Sequence, residues 1–196
     1  MSKDSAAINL THHFLIAMPN LADDVFARSV VYLCDHSERG AMGLMVNKPA
    51  GIHLSDLFAK VELPLDRPEL AIQPVFQGGP VQTERGFVLH EPMGADDQHA
   101  YASTLTVEGA DLEMTTSRDV LEALSAGAGP KRLLVTLGYS SWAQGQLESE
   151  LAENSWLTVP ASPDIIFDVP VEQRYDAALA LLGLQAWMIS PEAGHS

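Results

Sequence analysis

The chain has 196 residues, 46% of them hydrophobic and 19% charged, which suits one globular domain with a packed core and excludes a disordered chain. Eleven basic residues against 26 acidic ones give a formal net charge of −15, which opposes binding to nucleic-acid phosphates and to anionic membrane surfaces and favours a basic partner or simple solubility. Cys34 is the sole cysteine, so no internal disulfide can form, and no apolar run reaches the roughly 18 residues of a membrane span.

Residues 1–9 read as a loose tail, residues 10–189 as one domain, and residues 190–196 as a second tail. Residues 14–18 form a short apolar strand, stopped by Pro19-Asn20, and Asp23-Asp24 with Val25 and Phe26 opens an irregular connection or one helical turn. Val30-Val31-Tyr32-Leu33-Cys34 and residues 42–46 are apolar at both parities, so both faces are covered and the strands are central. The polar segment between them, residues 35–40, closes a hairpin with Gly40 near its end. Ser55 is placed to cap a short helix through Lys60, and Pro64, Pro68 and Pro74 make an extended linker. Residues 75–77 and 85–90 are strands, residues 94–98 an acidic loop, and residues 104–107 and 112–115 a second hairpin around Gly109.

The period then changes. Ser117 caps a helix with Val120, Leu121 and Leu124 inward and Gly127 at the position after its C-cap. Residues 133–137 are a buried strand, residues 138–142 a turn, and residues 143–153 a helix with Leu147 and Leu151 inward. Residues 156–159 and 165–167 read as short strands, and Tyr175, Ala178, Leu179 and Leu182 as the inner face of a last helix that Gly183 stops. About eight strands and four helices, hairpins first and strand–helix alternation later, define a single α+β domain with a mixed, largely antiparallel sheet and the helices packed outside.

Three stretches carry candidate chemistry. Cys34 and His36, two apart on a strand, point to the same side with Cβ atoms roughly 7 Å apart, where an imidazole could ionise the thiol; the simpler reading is a buried small hydrophobe followed by a polar turn residue. Gly78-Gly79-Pro80, with Arg85 five residues on, suits either close backbone approach to an anion or a tight turn. Gly138-Tyr139-Ser140-Ser141-Trp142 before a helix resembles a strand–turn–helix elbow, but Trp142 stands where a nucleophile elbow needs glycine. The seven histidines form no ligand pair at metal spacing and no second cysteine exists, so neither metal nor cofactor is expected.

His13-Phe14-Leu15-Ile16-Ala17-Met18-Pro19, Ser29-Val30-Val31-Tyr32-Leu33-Cys34-Asp35-His36, Gly40-Ala41-Met42-Gly43-Leu44 and Asn47-Lys48-Pro49 occur in that order. Gln77-Gly78-Gly79-Pro80-Val81, Arg85-Gly86-Phe87-Val88-Leu89-His90, Leu137-Gly138-Tyr139, Gly145-Gln146-Leu147-Glu148 and Asn154-Ser155-Trp156-Leu157 follow. Together these resemble the YqgE/AlgH family of small bacterial proteins over residues 12–183. The resemblance implies one α/β domain with a sheet partly curled like a small barrel, no assigned enzyme activity, and a regulatory role. Ser141 stands where the family pattern leads one to expect glycine.

The resulting expectation is a non-catalytic, cytoplasmic, monomeric regulatory or binding protein. It acts through a protein or small ligand rather than through DNA or a membrane. Its candidate binding residues are His36, Asn47, Lys48, Gly78, Gly79, Pro80, Arg85, Tyr139, Trp142 and Gln146. The alternatives are an enzyme or redox sensor using Cys34 with His36, and an anion pocket built on Gly78-Gly79-Pro80 and the turn before the 143–153 helix.

Overall fold

A computed structural model describes residues 8–92 and 101–189. Most of the two tails and all of the 94–98 loop expected from the sequence lie outside the described residues. Among the described residues are ten strands and five α-helices, in an α+β domain whose sheet is a half-barrel. Strands β1 (His13–Ala17), β2 (Val30–Ser37) and β3 (Gly40–Met45) are followed by β4 (Pro49–His53), α1 (Leu54–Lys60), β5 (Pro74–Gln77) and β6 (Val81–His90). Then come β7 (Thr104–Thr106), β8 (Glu113–Thr115), α2 (Asp119–Ser125), β9 (Leu133–Ala143), α3 (Gln146–Ala152), β10 (Trp156–Pro160), α4 (Pro163–Phe167) and α5 (Arg174–Ala180).

Eight strands lie in the order β10-β1-β2-β3-β9-β6-β8-β7, while β5 pairs with β9 and carries β4 beside it. The central position expected for β2 and β3 is observed. Phe14, Ile16, Tyr32, Cys34 and Leu44 bury into one cluster, and Leu15, Ala17, Val31, Leu33 and Met45 into a second on the other face. A third cluster, with Leu54, Phe58, Val88, Val120 and Leu124, sits under α1 and α2.

Four differences from the sequence reading have local causes. Residues 138–142 are not a turn: β9 runs through Gly138 (φ +77°) to Ala143, and Ser140–Ala143 find a partner in β3. The helix after it is correspondingly short, starting at Gln146. Residues 165–167 belong to α4, begun by Pro163 at a first-turn position where its missing N–H costs nothing. His53, not Ser55, stands at the start of α1, its N–H donating to Asp56 Oδ2 at 2.9 Å.

The helix ends read from glycine hold. Gly127 N–H bonds Leu124 C=O at 3.1 Å and Ala128 N–H bonds Ala123 C=O at 2.8 Å, the paired closure of a Schellman motif with Gly127 at φ +84°. The same pair closes α5, from Gly183 to Ala180 and from Leu184 to Leu179.

β9 organises the sheet. Its residues Thr136 and Leu137 pair with Phe76 and Gln77 of β5 in parallel and with Phe87 and Gly86 of β6 in antiparallel. The same two residues cannot pair twice on one edge, so β5 and β6 flank β9 on opposite edges. The chain between them, Gly78-Gly79-Pro80, therefore crosses over the β9 backbone. The crossing leaves no room for a side chain: a Cβ on Gly78 would sit 2.3 Å from Gly138 O, and one on Gly79 would sit 2.2 Å from Tyr139 C and O. Hydrogen bonds lock it. Gly78 N–H donates to Leu137 O at 2.9 Å, and Gly78 O accepts from Met45 N–H at 2.9 Å and Ser140 Oγ–H at 3.0 Å.

Gly79→Ala is expected to cost about 3 kcal/mol or more, because backbone rather than a flexible side chain must yield. That lowers the melting midpoint by about 6–12 °C for a domain of this size. Gly86→Ala, where a Cβ meets nothing within 4 Å, should stay within about 1 kcal/mol of the parent. Calorimetry of the two variants checks the pair.

Candidate functional site

The candidate residues fall into three groups. In the first, Gly78 and Gly79 are buried by the crossing, so they serve packing and are not open to a ligand. The exposed part begins at Pro80. β6 pairs Val81 with Tyr139, leaves the ladder, and returns at Gly86 opposite Leu137. Residues 82–85 bulge out from the sheet, with Gln82 at φ +47°, a backbone conformation unusual for a residue with a side chain. With Pro80 they bound an open concavity of about 670 Å3.

Arg85 is exposed there. Its guanidinium lies 5.7 Å from the Phe87 ring centroid, and Phe87 meets Tyr139 edge-on at 5.4 Å. Its one side-chain hydrogen bond among the described residues, to Gln82 Oε1, is long at 3.3 Å. Arg85 is thus the one cation of this group able to reach an anion or a partner surface. The glycine part of the anion-pocket alternative does not form.

The second group is His36, Trp142 and Gln146. Expecting Cys34 and His36 on one side fails because β2 carries a bulge between Leu33 and Asp35. The extra residue inverts the alternation, so Cys34 enters the cluster of Phe14 and Tyr32 while His36 turns to α3 on the other face. His36 Nδ1 accepts from Leu10 N–H at 2.9 Å, and Nε2–H donates to Glu148 Oε1 at 2.7 Å. The first bond fixes the tautomer, since an accepting Nδ1 carries no proton. Cys34 is buried, and burial, then the charge of Asp35, push its thiol up to about 12. The enzyme or redox-sensor reading of Cys34 with His36 loses its geometry.

Trp142 and Trp156 both donate their indole N–H to Glu150 Oε1, at 3.2 and 2.9 Å, and pack edge-on at 6.1 Å with Phe26 stacked on Trp142. Gln146 Oε1 accepts from Ala143 N–H at 3.0 Å. Ser140 is buried in the strand and spent on Gly78 O, so no nucleophile elbow exists. Ser141 adopts ordinary strand backbone opposite Met42, and serine fits there where the family pattern suggested glycine.

The third group, Asn47 and Lys48, clamps the segment before β2. Asn47 Oδ1 accepts from Val30 N–H at 2.8 Å and its Nδ2 donates to Arg28 C=O at 2.9 Å. Lys48 Nζ donates to Ala27 C=O at 2.5 Å, and burial, then the neighbouring Arg28 charge, hold its pKa below the usual lysine range. Arg28 itself has φ +57°, so the clamp pins a strained turn. Tyr139 packs with the Phe14 cluster and Trp142 belongs to the opposite one. One shared pocket of all ten residues is therefore not formed. No group of three His, Cys, Asp or Glu suited to a metal occurs among the described residues, and none of their helices is long and apolar enough to cross a membrane.

Two residues not singled out in the sequence stand out in the structure. Arg174, at the start of α5, is 7% exposed and lines a cavity. Its signal was positional: it lies four residues before Ala178, on the inner face. Trp187 is 71% exposed beside a concavity of about 580 Å3. It follows the last helix with no periodic partner, and nothing in its spacing separates an exposed tryptophan from a packed one.

The architecture defines a small single-domain α+β protein built on a half-barrel sheet. The AlgH-like family model matches residues 14–187, and the chain belongs to that family. A UPF0301 protein of Polaromonas sp. is 68% identical over 196 residues, all of both chains, and one of Variovorax paradoxus is 68% identical over 200 residues, again all of both. The solution structure of AlgH from Pseudomonas aeruginosa matches with a TM-score of 0.75 at 46% identity over the whole of both chains. A crystal structure of a Corynebacterium diphtheriae protein, at 19% identity and TM-score 0.68 over 87% of this chain and 85% of that one, shares the fold.

Two outcomes follow. Alkylating reagents should leave Cys34 of the folded protein unlabelled at neutral pH and label it fully in denaturant; rapid labelling of the native form would contradict the burial. Glu148 is held below the usual carboxylate range, chiefly by the His36 hydrogen bond. A carboxyl that ionises more readily when folded stabilises the fold above its unfolded pKa, and that contribution is lost as pH falls through the folded value. The melting midpoint of the parent should therefore drop more steeply below about pH 4.5 than that of Glu148→Gln.

Proposed function

We propose that this chain is a non-catalytic regulatory protein that works by binding another protein and not by contacting DNA. The observation that carries the reading is Trp187, 71% exposed, with Leu181, Leu182 and Met188 of the same C-terminal stretch also exposed. Tryptophan is the residue type that most often anchors protein interfaces, and a large exposed apolar side chain is one of the features that mark an interaction surface. The neighbouring concavity is bounded by Arg28, Asp176, Ala180, Leu184 and Gln185. It offers an open concavity with a mixed polar and apolar wall, the kind of layout a docking surface uses. The net charge of −15 then selects a partner whose rim is basic. The same charge repels duplex phosphates, so a regulatory effect would run through protein contact.

The test is affinity capture from a bacterial lysate with the parent, a Leu181→Asp/Trp187→Ser double variant and an Arg85→Ala control. Each captured protein is then purified and titrated against all three. The reading requires a partner whose dissociation constant weakens about 30-fold or more in the double variant, the loss of a hot-spot anchor, while the control is unchanged. If purified partners bind the double variant as tightly as the parent, or if the parent binds duplex DNA at physiological salt, the reading is wrong.

A further inference from the structure

Arg174 is buried and makes no direct ion pair, while Asp168 and Glu172 act on its charge through space. Its Nε donates to Val169 C=O at 2.9 Å and its Nη1 to Val46 C=O at 2.7 Å, and its guanidinium lies 5.1 Å from the Phe76 ring centroid. None of the ion pairs among the described residues involves it. Nη2 makes no hydrogen bond there, yet it is not sealed in: among the described residues Ser29 Oγ is the only enclosed side-chain polar atom left without a partner. The unbonded Nη2 is therefore accessible, and Arg174 lines a cavity.

The cavity measures about 230 Å3 and lies between β5, the start of β9 and the segment joining α4 to α5. Phe76, Leu134, Ile166, Phe167 and Val171 supply apolar walls. Gln73, also on the wall, makes no side-chain hydrogen bond among the described residues and offers a second donor. One carboxylate, Asp168, lines the cavity, but it is engaged by Arg132, which also holds Asp164 at 3.1 Å and Glu91 at 2.6 Å.

We infer that this cavity binds a small carboxylate with a short apolar body, held by Arg174 and Gln73. Asp168 and Glu172 favour the Arg174 charge from a distance, but neither bonds it, so its unbonded edge gains from a carboxylate in direct contact. Burial has already lowered the Arg174 pKa to about 10, and the group is still a cation at neutral pH. Two donors match the two oxygens of a carboxylate, whereas a phosphate would leave further oxygens against the apolar walls. At about 30 Å3 for each water-sized unit, the cavity accommodates roughly eight non-hydrogen atoms. That is the size of hexanoate.

The full chain is titrated with sodium hexanoate, sodium acetate, inorganic phosphate and 1-hexanol, and the backbone and arginine Nε–H resonances are followed by NMR. Hexanoate is expected to bind with a dissociation constant on the order of 1 mM and to shift the Arg174 Nε–H signal. It should bind at least about tenfold more tightly than acetate, through its methylenes, and than hexanol, through its charge. Gln73→Leu leaves the Arg174 hydrogen bonds in place and should weaken hexanoate about tenfold with the melting midpoint kept. Arg174→Met should abolish binding; if that variant does not fold, Gln73→Leu and the Nε–H signal decide. Equal binding of hexanol, binding of phosphate without hexanoate, full affinity in Gln73→Leu, or no response at Arg174 would each overturn the assignment.

Discussion

The fold turns on one close contact between two backbones. A strand has two edges, and β9 uses both over the same residues, so the chain leaving β5 must pass over it to reach β6. Passing at that distance excludes side chains on both parties. Glycine stands at 78 and 79 on the crossing chain, and at 138 on the strand beneath, where a Cβ would lie 2.5 Å from Gly79 O. The positive φ at Gly138 bends β9 there, and beyond the bend residues 140–143 take β3 as their partner. The half-barrel curvature and the joining of β1, β2 and β3 to the rest of the sheet depend on that bend.

This constraint explains why some elements were legible in the sequence and others were not. The hairpin of β2 and β3 announced itself by apolar residues at both parities, because burial on both faces is a local property of the sequence. Gly127 and Gly183 marked helix ends because their geometry is settled within a few residues. Residues 138–142 read as a turn because Gly-Tyr-Ser-Ser has no strand pattern of its own. Its partner, β3, lies about a hundred residues earlier, and only tertiary pairing makes it a strand. The bulge at Cys34 is of the same kind: one extra residue against the β3 ladder exchanges the faces of everything after it, and no local signal carries the count.

The candidate site was misread for a related reason. His36, Asn47, Lys48 and Gln146 are polar residues at the ends of apolar strands, where binding residues often sit. Here each satisfies a main-chain group or a neighbouring carboxylate. His36 ties α3 to β2, Asn47 and Lys48 hold the strained turn at Arg28, and Gln146 accepts the Ala143 N–H. Buried main-chain groups must be paired, and in an irregular sheet with bulges and crossings side chains do much of the pairing. Several of the motifs that make this family recognisable are therefore, in this chain, the hardware of its folding.

The features least explained by folding gather instead around α5. Arg174 at its first position lines the cavity between β5, β9 and the α4–α5 connection; Tyr175 donates to Ala17 C=O at 2.5 Å and carries the Arg28 guanidinium 4.6 Å above its ring; Ala178 and Leu179 are buried. The helix is thus pinned to β1, to Val46 just past β3 and to the α4–α5 connection before the chain turns at Gly183 and presents Trp187. A patch carried on so firmly held a base has little freedom left to lose on docking, and association costs fall accordingly. The cavity and that patch share this helix: Arg174, Tyr175 and Asp176 are consecutive, and Asp176 borders the concavity beside Trp187. An anion on Nη2 leaves the bonds from Nε and Nη1 intact, so it neutralises the buried charge at the base of α5 without requiring the helix to move.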